Sequence, residues 1–341
     1  MISLAKQRYD YIDAVKGVAI LGIVLMHFED GVFPVLFNIW TGLFMIAAFY
    51  FTSGWITGIK DIRITPQQLF KKRLKQLGIP YLWFVLIILV FDLLLVLLDF
   101  MDIKIFFRDL YCAITLRGIG ALWFLPVLLF GEWLFCVVRS CNYKYLMAVV
   151  LFAATLVSSY FYDSVWMKFR DLDDLHRIID SPIRPLVSSL KAWPIIALGF
   201  LAGKYLGPRM QNLKKVSLLS TGVLLLVFSV WLVVRPAFHI YYLNDILSRT
   251  VPTLGLIVLF MVVKPKLIVD FFTYWGCNSL VLLGTHYSIT LVIFKLFDSN
   301  VLHHSLFSGP VTLLYFVLAI LVTYPMVALF NGRLKFMLGK K

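Results

Sequence analysis

Residues 8–30 read RYDYIDAVKGVAILGIVLMHFED, and this stretch decides how the chain is built. Between Ile12 and Phe28 the side chains suit the hydrocarbon of a bilayer, apart from Asp13, Lys16 and His27. A charge at membrane depth costs about 2.5–3.5 kcal/mol on insertion scales, so ionisable groups there face a protein interior or a cavity and mark function. Lys16 and His27 are eleven residues apart. That is close to three helical turns, which sets both on one helix face about 16 Å apart along the axis. Asp13 falls on the same side. One face of one membrane helix therefore carries an acid, a base and an imidazole.

The rest of the chain agrees with a membrane setting. Of its 341 residues, 61% are hydrophobic and only 15% are charged, against about 25% in soluble domains. The expected fold is all-α, a single polytopic domain over residues 1–341. Ten apolar segments, at about 12–28, 34–59, 78–98, 119–138, 145–162, 187–206, 216–234, 246–263, 278–297 and 310–330, are long enough or nearly so to cross about 30 Å of hydrocarbon. The first reads as a retained span, because Lys16 interrupts it and no small-residue cleavage site follows.

The net charge of +14 is a topology signal. With Lys16 and Lys295 left in their spans and every other Lys and Arg assigned to its nearer loop, the two termini and the loops after even-numbered spans hold twenty, and the remaining loops ten. The positive-inside rule then puts both termini in the cytoplasm of a multi-pass cell-membrane protein. No basic–aromatic nucleic-acid motif is present. Cys112, Cys136, Cys141 and Cys277 form neither a metal-ligand spacing nor a disulfide framework and read as buried thiols. The adjacent His303 and His304 read as loop residues, since two neighbouring histidines make a poor metal pair without further ligands. The longest outer loop, about 163–186 (DSVWMKFRDLDDLHRIIDSPIRPL), reads first as a solvated cap and second as a lid or polar-substrate rim. No internal repeat is visible, which counts against an inverted-repeat transporter.

After the second span comes DIRITPQQLFKKRLKQLGIPYLW, residues 61–83. Thr65 followed three residues later by Gln68, with Pro66 at the first helical position, is a capping box. It predicts a cytoplasmic amphipathic basic helix over about 66–77, ending before Gly78 and Pro80. Phe70, Leu74 and Leu77 form its apolar stripe, and Lys71, Lys72 and Lys75 fall opposite, near anionic lipid. Arg73 turns toward protein, where a guanidinium can fork onto a phosphate or a carboxylate.

Further polar residues sit at depth. Ser53 in FYFTSGWIT (49–57) reads as part of a Ser-Gly close-packing point. Trp123 in ALWFLPVLLFGEW (121–133) suits a belt position or a kinked cavity wall, and Glu132, nine residues further in, must be neutral, paired or wet. Asp92 is similar but has no motif around it. His286 in NSLVLLGTHYSI (278–289), with Asn278, Ser279, Thr285 and Tyr287, reads as a polar lining.

Together these elements resemble the acyltransferase-3 family of integral membrane acyltransferases, and look closest to its bacterial sugar O-acetylase branch. A basic residue, ten residues, then His is met by Lys16 and His27, preceded by Ile12-Asp13. The aromatic–Ser–Gly element is similar to Phe51-Thr52-Ser53-Gly54-Trp55, and the basic motif before Pro-Tyr to Lys72-Arg73 and Pro80-Tyr81. The remaining elements are similar to Leu122–Pro126 with Glu132, and to Asn278-Ser279-Leu280 with His286. One position departs: where a second arginine commonly stands three residues after the first, this chain has Gln76.

The resemblance implies an O-acetyltransferase with no permanently bound cofactor and no metal. It implies acetyl-CoA, or another acyl-CoA, as the donor from the cytoplasm, and a hydroxyl of a cell-envelope carbohydrate or its lipid-linked precursor as the acceptor. His27 would be the general base, with Asp13 or Glu29 orienting it or Lys16. Lys16, Ser53, Lys72, Arg73, Gln76 and Tyr81 would hold the donor. Trp123, Glu132, Asn278 and His286 would line the acceptor side. The alternative is a small-molecule permease built on the same membrane domain.

Overall fold

Small residues decide where the helices cross. In the computed structural model, which describes residues 8–28, 33–169, 174–235, 241–263, 265–297 and 308–340, α1 (Asp10–Phe28) and α2 (Val35–Ile59) form the centre. They are followed by α3 (Pro66–Arg73), α4 (Ile79–Leu97), α5 (Ile103–Ile114), α6 (Phe124–Ser140), α7 (Lys144–Phe161), the short α8 (Met167–Phe169) and the long α9 (Asp174–Tyr205). The chain continues through α10 (Gly207–Gln211), α11 (Lys215–Val234), α12 (Tyr241–Val262), α13 (Lys266–Cys277), α14 (Ser279–Phe297) and α15 (Ser308–Asn331). No strand occurs among the described residues. Nine of the described helical segments are long and apolar enough to cross a membrane, and the bent pair α13–α14 makes a tenth.

The closest crossing joins α2 to α9. A Cβ added to Gly54 or Gly58 would meet the backbone of Ile196 or Phe200, and one added to Gly199 or Gly203 would meet the backbone of Phe51 or Trp55. Each helix thus offers a Gly-x-x-x-Gly step to the other. In lipid, where apolar burial gives no driving force between helices, backbone approach of this kind supplies the packing. Gly17 and Gly276 do the same for α1 and α13. These two crossings fix α1 and α2 side by side, so the polar face of α1 looks into the bundle.

Three expectations are corrected. The basic helix does not end at residue 77. Its capping box forms as expected, Thr65 Oγ1 accepting from Gln68 N and Gln68 Oε1 from Thr65 N, both at 3.3 Å. However, a π-helical turn over Leu74–Gly78 carries α3 directly into α4, forming one segment from Pro66 to Leu97. The wider turn accommodates Pro80, whose missing N–H would have ended an ordinary helix.

The stretch 163–186 is largely helical where it is described. A π turn spans Tyr162–Trp166, and α9 begins at Asp174 despite Pro182 and Pro185. Tertiary bonds explain this. Asp180 is fully buried and accepts from Tyr162 Oη at 2.8 Å and Trp166 Nε1 at 3.1 Å. Finally, the span expected at 278–297 is the second half of a broken one: α13 and α14 meet at Asn278 with a bend of 75°. Glu29, His303 and His304 lie outside the described residues.

Candidate functional site

Three cavities adjoin one another, the first two along the polar face of α1 and the third beyond them, with no α1 residue in its lining. The first, about 490 Å³, opens at the end of the bundle that carries Arg73. Arg8, Lys16, Lys60, Lys72, Arg73 and Arg139 line it, against two acids, Asp13 and Glu132. The second, about 200 Å³, is apolar except for His27 and Ser279, and is walled by Ile20, Ile23, Phe49, Trp123, Leu128 and Leu283 among others. The third, about 250 Å³, is charged again and lies at the His27 end. Phe49, Leu128 and Ser279 border both the first and the second. Ile46 and Trp123 border both the second and the third. One layer of side chains therefore separates each cavity from the next.

The first cavity is organised around Arg73. Its Nε faces Glu132 Oε2, its Nη2 donates to Glu132 Oε1 at 2.7 Å, and its Nη1 donates to Gln76 Oε1 at 2.8 Å. Ser53 Oγ also donates to Glu132 Oε1. Gln76, the departure from the family pattern, thus acts as a bracket that aims the guanidinium. Lys16 reaches Asp13 at 3.5 Å, and Arg8 reaches the other Asp13 oxygen at 2.7 Å. The Asp13 carboxylate holds the Arg8 guanidinium above its ordinary pKa. Four more positive than negative groups surround the space, an arrangement suited to a polyanion.

His27 stands in the last turn of α1, open to the second cavity. Its Nδ1 lies 2.7 Å from the Ile23 carbonyl oxygen. A carbonyl only accepts, so Nδ1 carries the proton in the neutral ring and the Nε2 lone pair is left for another partner. His286 packs edge-on against it, with ring centres 4.8 Å apart, and makes the same bond from Nδ1 to Leu282 O at 2.8 Å. His286 is fully buried, and its Nε2 has no hydrogen-bond partner among the described residues.

The expected site residues divide as follows. Lys16, Ser53, Lys72, Arg73 and Gln76 come together on the first cavity, and His27 and Trp123 on the second. Glu132, expected on the acceptor side, joins the first group as the partner of Arg73. His286 lies behind His27 and borders none of the three cavities. Tyr81 is buried away from the basic cavity, where its hydroxyl donates to Ala113 O at 2.7 Å and ties α4 to α5. Asn278 forms the joint of the broken span, donating to Tyr274 O at 2.8 Å and accepting from Asn331 Nδ2 at 2.7 Å. Asp13 pairs with Lys16 and Arg8 at the far end of α1 from His27.

Sequence reasoning missed Arg8, Lys60 and Arg139 on the first cavity, and the whole third cavity. Arg139 donates to the Ile62 carbonyl and lies over Phe200. The available signal for the third cavity was Asp245 and Arg249, an i,i+4 pair inside an apolar span.

The fold and site define a polytopic helical membrane protein with a histidine on an apolar cavity that adjoins a strongly basic one. The family described as an acyltransferase domain (Acyl_transf_3) matches residues 9–330. The chain belongs to this family and is a membrane acyltransferase. No curated protein and no solved structure matched the chain.

Proposed function

We propose that this acyltransferase moves an acetyl group from acetyl-CoA, or a related acyl group from its CoA thioester, to a hydroxyl of a cell-envelope carbohydrate or its lipid-linked precursor. The observation that carries the donor half is the first cavity. Its excess of positive groups suits the phosphates of CoA, and Arg73 is already aimed by Glu132 and Gln76. The excess of Lys and Arg in alternate loops puts this end, and both termini, on the cytoplasmic side of the cell membrane, where acyl-CoA is made.

The chemistry follows from the row of cavities. The phosphates bind around Arg73 and Lys72. The pantetheine arm extends past Lys16 and the Phe49–Leu128–Ser279 layer, a path of about 16 Å along α1. The thioester carbonyl then lies in the apolar cavity beside His27. Nε2 takes the proton of the acceptor hydroxyl as its oxygen attacks the carbonyl carbon. The tetrahedral intermediate collapses, the C–S bond breaks, and the departing sulfur takes that proton back from the imidazolium. The apolar walls keep out water that would hydrolyse the thioester. Trp123 offers an aromatic face to the acceptor.

The test is transfer of radiolabel from acetyl-CoA by purified protein in nanodiscs, with a cell-envelope carbohydrate extract as acceptor. Labelled carbohydrate is the expected product. No thioester cleavage by a folded protein that binds CoA would contradict the reading and favour transport through the same row of cavities.

A further inference from the structure

The third cavity holds charge of its own. Lys191 Nζ reaches Asp163 at 2.6 Å and Arg249 Nε reaches Asp245 at 2.8 Å, so two cations and two acids compensate each other inside it. Arg184 lines the same space, is exposed, and makes no ion pair with any described residue. The cavity is therefore positive by one charge. Its neutral groups point the same way: Tyr50, Ser188 and Trp123 line it, and their side chains make no hydrogen bond among the described residues. An unpaired guanidinium beside unused donors is a fork for an oxyanion. Trp123 also walls the His27 cavity. A ligand held here thus lies one side chain away from the imidazole.

From this geometry we infer that the third cavity is the acceptor subsite, and that the acceptor is a polyhydroxylated molecule carrying an oxyanion, carboxylate or phosphate, which Arg184 binds. This rests on the acyl-transfer reading above and narrows it. The acid–base pairs Lys191–Asp163 and Arg249–Asp245 fix the walls. Arg184 supplies the attraction, and the part-buried Trp123 supplies an aromatic wall for a sugar-like body. The anion is held at the far side of the layer, which leaves a hydroxyl of the same molecule to reach His27.

The experiment is equilibrium binding of tritiated glucuronate, glucose 6-phosphate and glucose to the full-length protein in nanodiscs. At least one anion is expected to bind at least about tenfold more tightly than glucose. Which anion it is separates carboxylate from phosphate. Arg184→Gln should erase the preference, Arg184→Lys should keep part of it, and Arg73→Gln on the first cavity should leave it intact. Four results would overturn the assignment: glucose bound as tightly as both anions, no binding of either anion, a preference that survives Arg184→Gln, or one that is lost in Arg73→Gln. Because binding is read without turnover, failure of the acyl-transfer reading shows separately, as a protein that binds the anion and never cleaves a thioester.

Discussion

The two charged cavities, on either side of the His27 cavity, are built on different balances. Around Arg73, six basic side chains meet two acids. Around Arg249, three basic side chains meet two acids, and two of the three are already paired. Between them the His27 cavity has no other charged wall. An excess of four matches a ligand with several negative charges, and an excess of one matches a ligand with a single anionic group. Under the proposed function, the middle is where a neutral carbonyl is attacked. The difference suits the direction proposed above: a polyphosphate donor at one end, a hydroxyl acceptor at the other, and one base between them.

The largest effect should come from the middle. His27→Ala removes the only base on the apolar cavity among the described residues. Acetyl transfer should fall by about 10²–10⁴-fold, the usual contribution of a general base. CoA affinity, measured on the same preparation, should stay within about twofold, since the charges that would hold the phosphates lie elsewhere. Equal loss of both would merge the middle cavity with the first and break the comparison.

Next comes the basic end. Arg73→Ala should weaken CoA binding by about 1.5–3 kcal/mol, the scale of a hydrogen bond to a charged group, measured by isothermal titration. The four-to-one difference in excess charge also predicts a salt effect. CoA affinity should fall more steeply with added salt than binding of a singly charged acceptor analogue at the other end. Parallel slopes would show that the two cavities do not differ in the charge they present. A smaller effect is expected at His286. His286→Phe keeps a ring against His27 but removes the buried, unpaired Nε2, so transfer should change by less than about tenfold, with folding intact.

Much of this arrangement was legible in the sequence, and the reasons are physical. Apolar runs of about twenty residues have few alternatives to spanning a bilayer, so the count of ten spans and the all-α fold followed. Lys16 and His27 stood out because charge is costly at depth. Arg73 stood out because the helical period turned it away from the lysines. What was not legible depends on partners distant in sequence. The fork of Arg73 on Glu132 joins residues 59 apart. The helical start of α9 depends on Asp180 finding Tyr162 and Trp166. Asn278, expected on the acceptor side, is instead held by Tyr274 and Asn331 at the bend between α13 and α14, and Asn331 is 53 residues away. The third cavity stayed hidden because its charges come from α9, α12 and the turn after α7, and only packing brings them together.

The central claim is that a donor anchored at Arg73 delivers its thioester to His27. It is tested most directly by trapping. In a background where Cys112, Cys136, Cys141 and Cys277 are replaced by serine, Ile23→Cys places a thiol on the wall of the His27 cavity. CoA disulfide is added, and the protein is weighed by intact mass spectrometry for the mixed disulfide between CoA and residue 23. The account predicts rapid CoA attachment, blocked by excess acetyl-CoA and strongly reduced when Arg73→Ala is added. Attachment that is undiminished by Arg73→Ala, or absent while CoA still binds, would contradict it.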